Sequence, residues 1–287
     1  MATFSETKVY RIIGLESFMS ILINKQERFV RPIDSWPDTF EGYMLHQLDS
    51  IEGMQKVIDR LYMISTGSAD STILSLSKLL RTRYACYGQC WSRIPDSDAM
   101  WRIYSYDNKA IQLVTTVNRI QNMIQADAWK NLQMLISDVK YDINDEDEAL
   151  NKILVPSARI VSAYFHKRPA FDHEKEIRVL LDDSKNYDHI DFFTAYAIRN
   201  NLKHVDKTKL ATEQILEAAT YTVGNRGGYI SACPNELNLK IKDLKNYLEG
   251  IRVHPLAPVW YVNLVKDICR NYKVKFLGQS DLYRATV

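Results

Sequence analysis

Strand-length apolar runs are scattered singly through the first half of this chain and gathered, with few helices between them, in the second half. That order constrains the fold more than any other feature. It predicts an α+β protein rather than a doubly wound parallel sheet, in which strands and helices would alternate throughout. Strands are expected over Lys8 to Ile13, Glu27 to Arg31, Tyr84 to Trp91, Ala110 to Thr115, Met134 to Tyr141 and Lys175 to Leu181. Further strands are expected over Tyr229 to Cys233, Leu237 to Ile241, Gly250 to Val253 and Lys273 to Leu277.

Helical spacing is clear elsewhere. Leu15, Phe18, Met19, Leu22 and Ile23 share one face, as do Ile51, Met54, Val57, Ile58 and Leu61. A third helix is expected around Ile73 to Leu80, beyond a Gly/Ser turn at Ser65 to Ser68. Near the C-terminus, Trp260, Leu264, Val265, Ile268 and Tyr272 form an amphipathic stripe expected to face the core. Ser97 and Thr116 are placed to cap helices starting at Asp98 and Val117. Pro32 to Gly42 holds Trp36 and Phe40, aromatics that need burial, so an ordered loop is expected there. The acidic run Asp142 to Glu148 reads as a solvated loop leading into a helix. Residues 184–226 are polar and helical in two pieces, and are expected to form an insertion within a single domain spanning 1–287.

A chain of 287 residues can close one large core without staples. Its 37 basic and 35 acidic side chains leave a net charge of +2, too small for a global pull toward nucleic acid or lipid. No apolar run approaches the roughly 20 residues of a spanning helix, and the first residues lack the pattern of a signal peptide. The cysteines are Cys86, Cys90, Cys233 and Cys269. The nearest two lie four residues apart on one expected strand, too far for an easy bridge, so reduced thiols in a cytoplasmic protein are expected. The six histidines show no ligand spacing, and no metal is expected. Gly-rich dinucleotide, Walker and G-x-S-x-G patterns are absent, which disfavours Rossmann, P-loop and serine-hydrolase chemistry.

Three groups of residues could carry chemistry. Tyr10-Arg11, near the end of the first strand, suits an anion or amide ligand. Arg11 would serve equally as a structural partner for a later glutamate. Trp101 and Tyr104, three apart on a short helix, could stack on a flat ring or pack in the core. Glu174 and Glu176, two apart at a strand start, would present both carboxyls to one face. Such a pair calls for a cation or a ligand, unless the face is merely solvated. The neighbouring Phe165-His166-Lys167-Arg168 could meet phosphates or neutralise those acids.

Several segments together resemble a bacterial family known as domain of unknown function 2971. They are Val9-Tyr10-Arg11, Phe29 to Pro32, Asp38-Thr39-Phe40-Glu41-Gly42, Cys90-Trp91-Ser92, and Asp98-Ala99-Met100-Trp101 with Tyr104. Lys167-Arg168, Phe171, Glu174, Glu176, Arg178, Val253-His254-Pro255 and Ala257-Pro258 complete the set. Asp38-Thr39-Phe40 stands where the family usually shows Asp-Pro-Phe.

A more distant similarity links an arginine on the first strand, a central aromatic and a Glu-x-Glu to the three-part site of ADP-ribosyltransferases. That resemblance implies two small mixed or antiparallel sheets around a cleft with flanking helices, and NAD as substrate. It implies that Arg11 holds the pyrophosphate or ribose, that Glu176 stabilises the ribosyl cation and that Glu174 positions the acceptor. Tyr10, Arg11, Trp101, Tyr104 and Lys167 would bind NAD, with Tyr104, Trp101 and Ser92 all candidates for the middle position. The acceptor would be protein, nucleic acid or water, and the setting a toxin or antiviral-defence effector. Two rivals stay open: a non-catalytic nucleotide- or protein-binding module, and a metal-dependent nuclease using Asp38, Glu41, Glu174, Glu176 and Lys167.

Overall fold

The computed structural model describes residues 4–64, 69–126, 129–151, 160–187, 214 and 233–284. All of the expected strand Tyr229 to Cys233 except Cys233 itself, and almost all of the 184–226 segment, lie outside them. Eleven strands are described. They are β1 (Lys8–Ile13), β2 (Gln26–Val30), β3 (Cys86–Ser92), β4 (Ile111–Thr116), β5 (Gln133–Asp138), β6 (Lys140–Tyr141), β7 (His166–Lys167), β8 (Glu176–Asp182), β9 (Glu236–Lys240), β10 (Gly250–Val253) and β11 (Phe276–Gln279). The first eight helices are α1 (Leu15–Asn24), α2 (Pro32–Ser35), α3 (Tyr43–Gln47), α4 (Ile51–Ile64), α5 (Ala69–Tyr84), α6 (Asp98–Tyr104), α7 (Val117–Met123) and α8 (Glu146–Asn151). Two more, α9 (Leu244–Tyr247) and α10 (Val259–Tyr272), follow β9 and β10. The molecule is α+β, and among the described residues no helix is long and apolar enough to cross a membrane.

The resemblance to ADP-ribosyltransferases implies two small sheets around a cleft. The structure has one mixed sheet of nine strands, with β6 and β7 forming a separate parallel pair. The reason lies in β3. One edge pairs with β8 along its whole length, from Cys86↔Asp182 to Ser92↔Glu176. The other edge takes two strands at different heights, β2 at Val30↔Gly88 and β1 at Tyr10↔Ser92. The sheet therefore forks at β3. One limb runs through β1, β4, β10 and β11; the other carries β2 and β9. The expected strand Met134 to Tyr141 is also divided: β5 pairs with β8 and β6 with β7.

Strand alternation sends successive side chains to opposite faces, and both faces are covered. Val9, Phe29, Trp91, Leu113, Ile177 and Val179 pack with Phe18 of α1, Ile120 of α7 and Val265 of α10. Leu180 and Cys86 pack on the other side with Met44, Val57, Leu76 and Tyr164. A strand buried on both faces reads as a continuous apolar run, as Ile177 to Leu181 does around Arg178.

The caps fall where the sequence puts them. Ser97 accepts from the backbone of Met100, and Thr116 from that of Arg119. On α10 the buried stripe is Tyr261, Val265 and Cys269. Trp260 and Leu264, expected to face the core, are exposed instead. Val265 of the expected stripe is buried as expected, and the hydroxyl of the buried Tyr261 donates to the Lys109 carbonyl.

Candidate active site at the fork of the sheet

Two buried charge clusters sit at the fork, on opposite faces of the sheet. On the face of α1 and α10, Arg11 Nη2 meets Glu27 Oε2 at 3.1 Å. Glu27 is fully buried and also accepts from Gln89 Nε2 at 2.6 Å and from the Tyr247 hydroxyl at 2.8 Å. The Arg11 guanidinium lies 5.0 Å from the Trp91 ring centre, and Trp91 Nε1 donates to Gln89 Oε1 at 3.2 Å. Arg11 thus does pair with a later glutamate, and that glutamate is Glu27.

On the face of α3 to α5, Arg178 is fully buried. Its Nε and Nη2 grip Glu176 in a fork, at 2.7 and 3.0 Å. The same guanidinium donates to Glu41 and to the Tyr164 carbonyl, and lies 4.1 Å from the Trp36 ring centre. Lys167 Nζ reaches Glu174 at 2.7 Å, Glu41 at 3.1 Å and Glu176 at 3.5 Å. Asp38, just upstream, holds Arg168 at 2.9 Å.

Local structure places these groups. Glu174 ends a 3-10 turn (Pro169–Glu174), and Lys175 then adopts a left-handed conformation with φ 42°. The two glutamates converge on Lys167 through that turn, and not through strand alternation as expected, since Glu176 is the first residue of β8. Glu41 is followed by Gly42, whose φ of 71° and 2.8 Å approach of a hypothetical Cβ to the Tyr164 ring leave no room for a side chain.

Burial raises both the Glu41 and Glu176 carboxyls, and the groups around each set them apart. Burial pushes Glu41 above the usual carboxylate range, against the pull of Arg178 and Lys167. Burial alone would raise Glu176 too, but the Arg178 guanidinium, Lys167 and the Cys90 thiol hold it below that range. Burial works against the charge of Lys167, yet Glu176 and Glu41 outweigh it and keep the ammonium protonated well into the basic range. Two acids pushed in opposite directions beside the same cations suit a pairing of charge stabilisation with proton handling.

A cleft of about 530 Å³ opens at the fork and touches both clusters. Arg11, Gln89, Cys90, Tyr104, Lys167, Glu174, Glu176 and Glu41 all line it. A smaller space of about 180 Å³ adjoins it, and Tyr10, Arg11, Tyr104, Ser92 and both glutamates border that space. Of the residues proposed from sequence, the structure brings Arg11, Tyr104, Lys167, Glu174 and Glu176 to one cleft and Tyr10 to its side pocket.

Trp101 is not among them. It is 0% exposed, donates to Asp96 at 2.8 Å and stacks edge-on against His254. Helical spacing put it on one face with Tyr104, but the helix turns the indole inward and leaves Tyr104, 48% exposed, on the cleft wall. Glu41 and Arg178 were absent from the leading set of site residues. For Arg178 the signal is a charge embedded in an apolar strand, Glu176-Ile177-Arg178-Val179-Leu180; Glu41 lies in a turn and carries no such signal.

These features define an α+β protein with a charged cleft at a fork in a mixed sheet. Residues 100–179 match the model of a family described as "Protein of unknown function (DUF2971)", which bears out the family resemblance over that segment. The matched stretch carries Tyr104, Lys167, Glu174, Glu176 and Arg178. No curated protein and no solved structure matches the chain, so the likeness to ADP-ribosyltransferases rests on the sequence resemblance alone.

Proposed function

We propose that this cleft cleaves the nicotinamide–ribosyl bond of NAD and passes the ADP-ribosyl unit to a macromolecule or to water. The observation that carries the proposal is the joint lining of one cleft by Arg11, Tyr104 and Glu176, residues drawn from β1, α6 and β8. In the reaction the C1′–N bond breaks and its electron pair stays on the ring nitrogen, which becomes neutral. A lone pair of the acceptor forms the new bond to C1′, and the acceptor's proton leaves to solvent. Positive charge develops on the ribose in between, as in glycoside hydrolysis.

Glu176, kept ionised by Arg178, is suited to stabilise that charge and to accept from a ribose hydroxyl. Arg11 offers a cation to the pyrophosphate or ribose. Tyr104 offers a ring face to the nicotinamide, whereas Trp101 is fully buried and turned away from the cleft. Glu174, on the same lysine as Glu176, is left to position the acceptor. The setting that accompanies this reading is a toxin or antiviral-defence effector.

The test is incubation of the full chain with NAD and measurement of free nicotinamide. Wild type should release it, and Glu176→Gln should fold and release none. Retention of activity by that variant would refute the assignment. A second reading is a nucleotide-binding module without turnover. It is favoured by the 4% exposure of Glu176 and the occupation of both its oxygens. Binding of NAD with no nicotinamide released would select it. The nuclease alternative is weaker, because Asp38, Glu41, Glu174 and Glu176 are each already engaged by Arg or Lys.

A further inference from the structure

A third space, of about 320 Å³, opens between the start of α1, the loop after α6 and the first turns of α10. Tyr104 borders it, the cleft and the side pocket alike, while Glu174 and Glu176 do not border it. Tyr104, Tyr106, Trp260 and Leu264 all line this space and all are exposed, Tyr106 at 96%. Single exposed apolar side chains are ordinary, but a group of them around one concavity marks an interaction site. The charged residues at its wall are Glu16, Asp107 and Lys109. Lys109 Nζ lies 3.4 Å from Asp107 and 5.9 Å from the Trp260 ring centre, so these two charges offset each other. The Glu16 carboxyl lies over Gly14, 3.0 Å from where a Cβ would stand, and makes no ion pair or hydrogen bond among the described residues. Burial, then Asp107 and Glu16, push the Tyr261 hydroxyl up to about 12, which sets both acids beside that pocket wall. The pocket therefore joins exposed rings to one negative charge in excess. The dipole of α1 accounts for an acid in its first turn, but not for the rings gathered around it.

We propose that this pocket docks an arginine side chain of a polypeptide partner, with the guanidinium against the exposed rings and paired to Glu16. A ring face attracts a cation, and a planar guanidinium can lie flat on it. The same group meets a carboxylate through its forked N–H donors. The excess negative charge opposes a phosphate chain, so aromatic stacking of a nucleic acid is disfavoured here. The docked arginine is a recognition residue and not the reacting one, because the pocket excludes Glu174 and Glu176. It holds the partner one ring away from the cleft, with Tyr104 as the shared wall. Naming that partner the ADP-ribosyl acceptor rests on the NAD reading. The docking itself rests on Glu16 and the exposed rings alone.

The experiment needs no turnover. An acetylated and amidated Gly-Arg-Gly peptide is titrated into the full chain and followed by ligand-observed NMR, beside the same peptide with citrulline in place of arginine. Citrulline keeps the shape of the side chain and removes its charge. The arginine peptide should bind about ten-fold more tightly, the scale of a cation on a ring beside an acid, and added salt should narrow the gap. Glu16→Gln should remove the preference for arginine, and Trp260→Ala should weaken both peptides. Both residues are exposed, so neither change should disturb the fold. Should either variant unfold, the two peptides on wild type decide the matter by themselves. Equal affinity for the two peptides, no binding at millimolar concentration, or tighter binding of a single-stranded oligothymidine overturns the proposal. So does a wild-type dimer that Trp260→Ala turns into a monomer in sedimentation, because a second copy then fills the pocket. The two readings fail separately. NAD cleavage without arginine selectivity sinks this inference and spares the function. Arginine-selective binding without NAD cleavage does the reverse.

Discussion

The two charge clusters at the fork differ in how their charges add up. On the face of α1 and α10, one arginine meets one glutamate, and Gln89 and Tyr247 complete the shell with neutral donors. On the opposite face, Lys167 and Arg178 serve three acids, Glu41, Glu174 and Glu176. The balanced cluster ties β1, β2 and β3 together where they have only single registered pairs to hold them. The unbalanced cluster carries one acid more than it has cations. Burial raises the Glu41 carboxyl while Arg178 holds that of Glu176 low, so the two acids are pushed in opposite directions. A matched pair is suited to hold strands, and an unmatched group is suited to hold neighbouring acids in different proton states.

The largest effect expected from this contrast is at Arg178. Arg178→Met removes the guanidinium that grips Glu176 and Glu41 and leaves three buried acids with one lysine. Breaking a buried ion pair from one side costs about 3–5 kcal/mol, so urea unfolding should show a loss of that order or no folded protein at all. A loss below about 1 kcal/mol, within the range of an exposed ion pair, would mean that the cluster does not hold the fold.

Arg11→Met should cost less, about 1–3 kcal/mol, because Gln89 and Tyr247 still donate to Glu27. Pairing it with Glu27→Gln should recover most of the loss, since replacing both members of a buried pair is often close to neutral. Equal losses at Arg11 and Arg178 would erase the contrast between the clusters.

Much of this contrast was not legible in the sequence. Periodicity located β1, α1, α6 and β8 to within a residue or two, because each has its own apolar pattern. The fork was not legible: β1 and β2 share one edge of β3 through tertiary pairing that no local pattern encodes. Trp101 and Tyr104 were read as one face, yet spacing fixes only which residues neighbour each other and not which of them meets the core. Glu174 and Glu176 were grouped correctly for the wrong reason, since a left-handed Lys175 brings them together. Arg178 has a readable signal as a charge inside an apolar strand, where burial demands a partner, whereas Glu27 sits in the polar run Gln26-Glu27-Arg28 and has none. Their partners came from distant segments and could only be found in three dimensions.

A smaller, pH-dependent effect should separate Glu176 from its neighbours. Its folded pKa is depressed, so its contribution to stability is present above the unfolded carboxyl value and is lost as pH falls through the folded one. The stability advantage of wild type over Glu176→Gln should therefore be greatest above about pH 4.5, an ordinary unfolded glutamate value, and shrink as pH falls below it. Glu41 works in the opposite direction, because its raised pKa makes ionisation costly as pH rises through the carboxyl range. Glu41→Gln should thus gain relative to wild type as pH rises through that range. Denaturant unfolding at several pH values reads both slopes, and parallel slopes for the two variants would show that the acids are not held apart.

The smallest effect is expected at Cys90, which connects the unbalanced cluster to the cleft. Cys90 lines both the cleft and its side pocket, and its thiol is one of the groups that hold Glu176 low. Burial, reinforced by Glu176, pushes the thiol itself up and keeps it a hydrogen-bond donor at neutral pH. Cys90→Ala removes a weak donor and a small side chain at the edge of an existing space, so the stability loss should stay below about 1 kcal/mol. Its informative consequence is a change of pH dependence. With one stabilising group gone, the folded pKa of Glu176 moves up toward its ordinary value, and acid unfolding begins at a higher pH than in wild type. Cys90→Ser keeps a donor in place and should return the acid limb toward wild type. An acid midpoint unmoved by Cys90→Ala would show that Arg178 and Lys167 alone set the state of Glu176, and that the cleft-facing side of this acid is free to take its next hydrogen bond from a ligand.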